Sequence, residues 1–80
     1  MKETQGLLLK PLADEIRKRR ESLGFSQEKL AERCDFDRTY ISMLERGMRN
    51  PSFLNLLKIA RGLDITVSEL TVGYNGAQST

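Results

Sequence analysis

Residues 35–52 read DFDRTYISMLERGMRNPS, and this segment is the most informative part of the sequence about the fold. Ile41 and Leu44 lie at helical spacing, whereas three arginines and a tyrosine occupy much of the remaining segment. A helix with so few apolar residues buries one narrow side, so its long polar side chains must lie on the other. Two interpretations follow: a solvated surface helix, or a helix whose outward face contacts another molecule.

The segments before this stretch also predict helices. The first helix is expected to begin near Pro11, a residue suited to a first helical turn, and to stop at Gly24. Its inward side chains share helical spacing: Leu12, Ala13, Ile16 and Leu23. Ser26 is a candidate cap for a second helix over 27–34, with Leu30, Ala31 and Cys34 inward. After the turn at 35–37, Asp37 is a candidate cap for a third helix that Gly47 closes.

The segments after it predict two more helices. Asn50 as cap and Pro51 as first-turn residue would open the fourth, which would stop at Gly62. That helix is apolar on most sides, which predicts that it forms the centre of the core. Its apolar residues are Phe53, Leu54, Leu56, Leu57, Ile59 and Ala60. Thr66 and Glu69 have the spacing of a capping box for a short fifth helix over 67–72.

The pattern as a whole predicts an all-α fold, a compact bundle of about five short helices. The tight joint between the second and third helices is typical of a helix-turn-helix. We therefore divide the chain into an N-terminal arm (1–10), a helix-turn-helix domain (11–72) and a polar tail (73–80), which is expected to be disordered.

Composition narrows the possible functions. The chain has 80 residues, a net charge of +2, one cysteine and no histidine. It lacks the usual base near neutral pH, a Cys/His cluster for zinc and a Gly-rich phosphate loop, so we expect neither an enzyme nor a metal or other cofactor. We also expect no signal peptide, no membrane partner and a reducing cytoplasmic location.

The outward face of the third helix carries the chemistry of DNA recognition. Since a helix turns by about 100° per residue, the arc opposite Ile41 and Leu44 contains a set of polar or polarisable side chains. They are Arg38, Thr39, Tyr40, Ser42, Met43 and Arg46. Arginine can bind guanine bidentately, and threonine and methionine can contact a thymine methyl group. Gln27 at the start of the second helix, and Arg49 and Asn50 after the third, could contact phosphates.

The order of these pieces resembles a known family. LGFSQEKLAERCDFDRTYISMLERGMRNPSFLNLLKIARGLDITVSEL, residues 23–70, is similar to the helix-turn-helix domain of Cro and phage-repressor-type bacterial regulators. The resemblance extends over about residues 11–72, and SQEKLA, YISMLERG, NPS and LDITVSEL carry it together. DRTYIS followed by ER and RN is most similar to the controller proteins of restriction–modification systems.

The resemblance implies a homodimer on a roughly palindromic operator, with the third helix in the major groove. Arg38, Thr39, Ser42 and Met43 match base-reading positions, and Gln27, Tyr40, Arg46 and Asn50 match positions of backbone contact. It also implies a structural ion pair between Arg20 and Glu45. Two residues depart from the family pattern: Asp35 replaces the frequent glycine of the turn, and Met43 replaces a polar residue.

The C-terminal part has more apolar residues than a short last helix needs. This surplus, together with the resemblance, predicts a dimer interface formed by Ile65, Val67, Leu70 and Val72. The expected function is a sequence-specific transcriptional regulator without a small-molecule effector, with autoregulation if it is a controller protein. The alternative is an antitoxin-type or phage-type repressor whose activity depends on a protein partner.

Overall fold

The computed structural model describes the backbone of residues 2–74 and the side chains of residues 5–74. Five α-helices follow one another: α1 (Lys2–Ser22), α2 (Gln27–Cys34), α3 (Arg38–Glu45), α4 (Phe53–Gly62) and α5 (Val67–Leu70). A 3₁₀ turn (Val72–Tyr74) ends the described chain. The predicted all-α class is confirmed, since residues 2–74 contain no strand. Within the same residues, every helix is too short or too polar to cross a membrane.

The predicted caps have different outcomes. Ser26 Oγ accepts a hydrogen bond from the Lys29 amide at 3.0 Å, which confirms it as the cap of α2. The capping box of Thr66 and Glu69 is also confirmed at α5, and its hydrogen bonds from Thr66 lower the pKa of Glu69. Asp37 occupies the N-cap position of α3, but its side chain makes no capping hydrogen bond.

The turn between α2 and α3 depends on a left-handed residue. Asp35 has a φ of 64°, and its N–H is directed to the carbonyls of Ala31 and Glu32. The next amide, that of Phe36, donates to Ala31 O at 2.8 Å, so the end of α2 is closed by its own backbone. Aspartate is one of the few residues besides glycine that adopts this conformation without a large cost.

The first helix begins earlier than the sequence predicts. α1 starts at Lys2 with Pro11 in its interior, so residues 2–10 are helical and the predicted start near Pro11 is wrong. Proline removes one helical N–H, and the sequence alone shows nothing that compensates. The structure supplies the hydroxyl of Tyr74, which bonds to Leu8 O at 2.6 Å and to the Leu12 N–H at 3.3 Å.

Two residues of the predicted tail belong to the folded part of the chain. Gly73 and Tyr74 belong to the 3₁₀ turn, and Tyr74 packs against the core cluster. Only residues 75–80 of that predicted segment lie outside the described residues.

All five helices contribute to the core, and α4 is not its centre. The side chains that are no more than 2% exposed include Ile16, Leu30, Ile41, Leu44, Ile59, Leu63 and Leu70. In contrast, Phe53, Leu54 and Leu57 of α4 are 66%, 61% and 44% exposed. The prediction that they are core residues is wrong because α4 packs on α2 and α5 along only one side. Leu23, predicted to face inward, is also exposed.

The start of α4 was also predicted too early. Its N-cap is Ser52, whose Oγ accepts from the Asn55 amide at 3.1 Å, and the helix itself begins at Phe53. Asn50 and Pro51 precede the helix, so they belong to the loop that follows α3.

α2 and α4 meet at Gly62 and Cys34. A Cβ atom on Gly62 would overlap the sulfur of Cys34, so only glycine allows the two helices to approach this closely. Cys34 is buried, as predicted for a small core residue, and desolvation raises the pKa of its thiol to about 11. The Cys34 thiol therefore fills space between the two helices.

Gly62→Ala tests this contact. The added methyl group should destabilise the fold by about 1–3 kcal/mol through overpacking, measured as the free energy of unfolding in urea. Cys34→Ala removes the opposing sulfur, so the double variant should lose less stability than the two single variants summed. Additive losses would show that the two side chains do not share this space.

Candidate nucleic-acid interface

The last residue of α3, Glu45, has a buried carboxylate that anchors the helix on its inner side. Glu45 is 2% exposed, and Arg20 of α1 binds it bidentately, with Nε 2.6 Å from Oε2 and Nη2 3.0 Å from Oε1. The structure thus contains the ion pair predicted between these residues. The hydrogen bonds to Glu45 raise the pKa of Arg20 above its ordinary value.

Further donors complete the surroundings of this carboxylate. Gln27 Nε2 at the start of α2 donates to Glu45 Oε1 at 3.1 Å. Arg17 Nη2 donates to the Glu45 backbone carbonyl at 3.0 Å, and Arg20 Nη1 donates to Phe25 O at 2.8 Å. Since α1 and α2 both donate to Glu45, and Arg20 also holds the α1–α2 turn, the orientation of α3 is set by hydrogen bonds as well as by apolar packing.

The opposite face of α3 is open. Arg38 and Thr39 are exposed, and Ser42 and Met43 are half-buried. Within the described residues, no intrachain hydrogen bond or ion pair engages the side chains of Arg38 and Thr39. The four residues predicted to read bases therefore lie on one helix whose buried side is occupied by Ile41, Leu44 and Glu45.

Tyr40 lies at the edge of this face in a small cluster. Its ring packs at 4.7 Å from the Phe36 ring, and the guanidinium of Arg49 lies 5.6 Å from its centroid. Its hydroxyl accepts a hydrogen bond from Asn55 Nδ2 of α4 at 3.0 Å and keeps its own proton for another acceptor. These residues, with Thr39 and Met43, border a concavity of about 540 Å³.

The segment after α3 carries more polar groups to the same side. Arg46, the C-cap residue of α3, is exposed, and its Nε lies 3.4 Å from Ser42 O. Gly47 turns the chain with a φ of 70°. Arg49 and Asn50 follow as exposed residues, and Arg49 reaches Tyr40. Arg46 thus lies at the end of α3, whereas Arg49 lies over Tyr40 in the first turn of the same helix.

Gln27 occupies a more structural place than predicted. Its amide is committed in part to Glu45, which leaves one N–H of the Nε2 group free. The amide N–H groups of Gln27 and Glu28 stand in the first turn of α2, where a helix has no internal acceptor for them. An anion at this point would therefore meet backbone donors as well as the side chain.

Asn55 is a site residue that the sequence reasoning missed. It holds the Tyr40 hydroxyl and borders the same concavity. Its signal was present in FLNLL, residues 53–57, where it is the one polar residue in an apolar run. Only the packing of α4 shows that it faces α3.

The predicted dimer residues are not equivalent in the structure. Leu70 is 0% exposed, so it has no side-chain surface for a second copy, and its predicted interface role is wrong. Ile65 and Val67 pack partly on the core, while Val72 is 43% exposed. The exposed apolar residues of α4 lie on a helix that packs against α5.

Glu45→Gln tests the buried network. The variant leaves the Arg20 charge without its counterion, and we expect it to lose about 3 kcal/mol in the free energy of unfolding. The matched control is Glu32→Gln, because the Glu32 side chain is 76% exposed and, among the residues that the structure describes, its carboxylate pairs only with Lys29 at 3.4 Å. That change should alter stability by about 0.5 kcal/mol or less. Equal effects of the two changes would contradict a structural role for Glu45.

Comparison with known proteins places this arrangement in a family. Residues 16–70 match the helix-turn-helix family. The chain is 54% identical over 52 residues to control protein C.MunI of a Mycoplasma species, which covers 65% of this chain and 70% of that protein. It is 51% identical over 47 residues to control protein C.BamHI of Bacillus amyloliquefaciens, with coverages of 59% and 58%.

A solved structure supports the same assignment. The restriction-modification controller protein C.AhdI from Aeromonas hydrophila superposes with a TM-score of 0.76 at 44% identity, covering 78% of this chain and 94% of that one. These relatives are control proteins, which confirms the regulator class over the enzyme class. The chain therefore belongs to the helix-turn-helix family, within which it is similar to the controller proteins of restriction–modification systems.

Proposed function

We propose that this protein is a sequence-specific DNA-binding transcriptional regulator that acts as a homodimer on a pseudo-palindromic operator. The observation that carries the proposal is the division of α3 into a buried side fixed by Glu45 and an open side with unengaged Arg38 and Thr39. A helix held so firmly at its back can be inserted into the major groove without losing its orientation.

Base reading is assigned to Arg38, Thr39, Ser42 and Met43. Arg38 suits the O6 and N7 acceptors of guanine, and Thr39 and Met43 offer methyl groups to thymine. Ser42 can donate to or accept from a base edge. Met43 adds an apolar surface to this reading face.

Phosphate contacts are assigned to groups that border this face. Among the described residues the Tyr40 hydroxyl accepts from Asn55 and donates to no other group, so its proton can be given to a phosphate. Arg46, Arg49 and Asn50 are exposed around the end of α3, and the first turn of α2 presents Gln27 with free backbone N–H groups. Contacts on both sides of α3 would fix its register in the groove.

The dimer interface is assigned to apolar surface on the last two helices and the 3₁₀ turn. Ile65, Val67 and Val72 retain exposed area, and the interface extends to Phe53, Leu54 and Leu57 of α4. Two recognition helices related by a two-fold axis would then enter major grooves about 34 Å apart.

The biological role assigned to the chain is that of a controller protein in a restriction–modification system in the cytoplasm, with autoregulation. The similarity to C.MunI, C.BamHI and C.AhdI supports this proposal. The dimer blocks polymerase where its operator overlaps a promoter and recruits polymerase where the operator lies upstream. Protein concentration is the control variable, and dimerisation makes the response steep.

Selection of bound sequences from a random duplex pool at physiological salt tests the function. A dimeric reader should recover a pseudo-palindrome with two half-sites about one helical turn apart. Recovery of unrelated sequences would show that α3 does not read bases unaided, and would favour dependence on a protein partner.

Arg38→Ala and Arg46→Ala should differ in kind when binding to the selected duplex is followed by fluorescence anisotropy. Arg38→Ala should cost about 1–3 kcal/mol and relax the preference at one base pair of each half-site. Arg46→Ala should weaken all sequences alike and reduce the salt slope by about one. A uniform loss for Arg38→Ala would contradict its base-reading role.

Leu57→Glu tests the dimer. Leu57 is 44% exposed, so a charge there should leave the folded monomer intact but weaken self-association by about tenfold or more, as sedimentation equilibrium would show. Leu7→Glu in α1 is the control, since Leu7 is 71% exposed and lies outside the assigned interface. Unchanged association of Leu57→Glu would exclude α4 from the interface, and a monomeric wild type at saturating operator would contradict the homodimer.

A further inference from the structure

Pro11 interrupts the hydrogen bonding of α1, and the hydroxyl of Tyr74, from the 3₁₀ turn, lies beside this interruption. Pro11 has no N–H, so the carbonyl of Leu7 lacks its helical donor. One residue along, the Tyr74 hydroxyl donates to Leu8 O at 2.6 Å and accepts from the Leu12 N–H at 3.3 Å. In an uninterrupted helix these two backbone groups pair with each other. Tyr74 therefore bridges the helical ladder at the point where proline weakens it.

The neighbouring residue of the 3₁₀ turn fits against the proline itself. A Cβ atom on Gly73 would come within 2.8 Å of Pro11 Cβ, closer than carbon atoms pack. Only glycine lets the turn lie this near to α1. The 3₁₀ turn therefore contacts α1 at two adjacent points: Gly73 packs on Pro11, and Tyr74 bonds to the backbone of Leu8 and Leu12.

The N-terminal half of α1 has few other supports. Leu7 and Leu8 are 71% and 64% exposed, and Leu9 is the leucine of this run that packs on the core. A helix of about nine residues is not stable by itself in water. The direction of residues 2–10 therefore depends on the few contacts that tie them to the rest of the fold, and Tyr74 is a principal one.

The start of α1, at Gln5 and Gly6, lies against the segment that follows α3. A Cβ on Gly47 would lie 3.5 Å from Gly6 O, so the two backbones face each other across a narrow gap. Gln5 and Gly6 line a groove of about 400 Å³ together with Arg46, Gly47 and Met48. Gly47 has a φ of 70° and sets the direction of the loop that carries Arg49. The first turns of α1 thus pack against the segment that carries Arg46 and Arg49, two of the proposed phosphate-binding residues.

We propose that Tyr74 is a positioning residue for DNA binding. Its hydroxyl holds the N-terminal half of α1 across the Pro11 interruption, and that half supports the segment from Arg46 to Arg49 in the orientation that meets phosphates. The inference rests on the proposed DNA-binding function. It extends the function to a residue that touches no DNA and lies 28 positions beyond Arg46 in the chain.

Tyr74→Phe removes the hydroxyl and keeps the ring. Amide exchange should accelerate at Leu7, Leu8, Leu9, Lys10 and Leu12, whereas the core amides of α2 and α4 should exchange as in the wild type. Affinity for the selected duplex should fall by roughly threefold to tenfold with unchanged base preference, because phosphate contacts are affected. Thr71→Val is the matched control: it removes a nearby hydroxyl that donates to Val67 O at 2.8 Å. It should change neither readout.

Pro11→Ala separates positioning from general destabilisation. Alanine restores the N–H toward Leu7 O and keeps the Cβ that packs on Gly73, so α1 becomes continuous without help from Tyr74. The double variant Pro11→Ala/Tyr74→Phe should therefore regain wild-type exchange at Leu7–Lys10 and most of the DNA affinity. Such coupling is expected only when the two residues act on the same element.

Two outcomes would overturn the inference, and a third would overturn the proposed function. Wild-type DNA affinity in Tyr74→Phe, or faster exchange in α1 without loss of affinity, would overturn the positioning role. A loss that Pro11→Ala does not repair would overturn it as well, because the hydroxyl would then act elsewhere. If the wild type bound no duplex, the proposed DNA-binding function would fail instead, and the exchange rates would still report whether Tyr74 holds α1.

Discussion

The burial of one carboxylate constrains the rest of the structure. A buried charge is tolerated only when it is paired and hydrogen-bonded, and the Glu45 carboxylate meets this requirement with donors from Arg20 and Gln27. Those donors come from α1 and α2, so both helices must meet α3 at its C-terminal end. Apolar packing of Ile41 and Leu44 fills the space between them, but the carboxylate selects the angle at which α3 lies.

The open face of α3 is flanked by residues that other parts of the fold hold in place. Tyr40 is held by Phe36 and by Asn55 of α4, which fixes the phenol beside the proposed reading face. Gly47 directs the following loop, and the N-terminal half of α1 lies behind it. The open side chains of Arg38 and Thr39 thus stand on a helix whose back and edges are fixed, a preorganisation that reduces the entropy lost on binding.

Local signals predicted several elements whose deciding contacts lie close in sequence, although the Ser52 cap of α4 was missed. Ser26 and the Thr66–Glu69 pair bond to amides within three residues, and the left-handed turn at Asp35 closes onto α2 itself. The start of α1 was missed because Pro11 is compensated by Tyr74, 63 residues away. The role of α4 was misjudged because its periodicity cannot show that Phe53, Leu54 and Leu57 stay exposed after the helix packs.

The all-α class, the helix-turn-helix joint and the polar face of α3 could be predicted from the sequence, because capping, turn conformation and helical periodicity are properties of neighbouring residues. The resemblance added the pairing of Arg20 with Glu45. Only the tertiary structure decided that Gln27 joins this pair, that Asn55 holds Tyr40, that Leu70 is buried and that Tyr74 bridges α1. Each of these depends on side chains from separate elements that meet in space. The spacing of residues within one segment does not show which side chains of another segment they will contact.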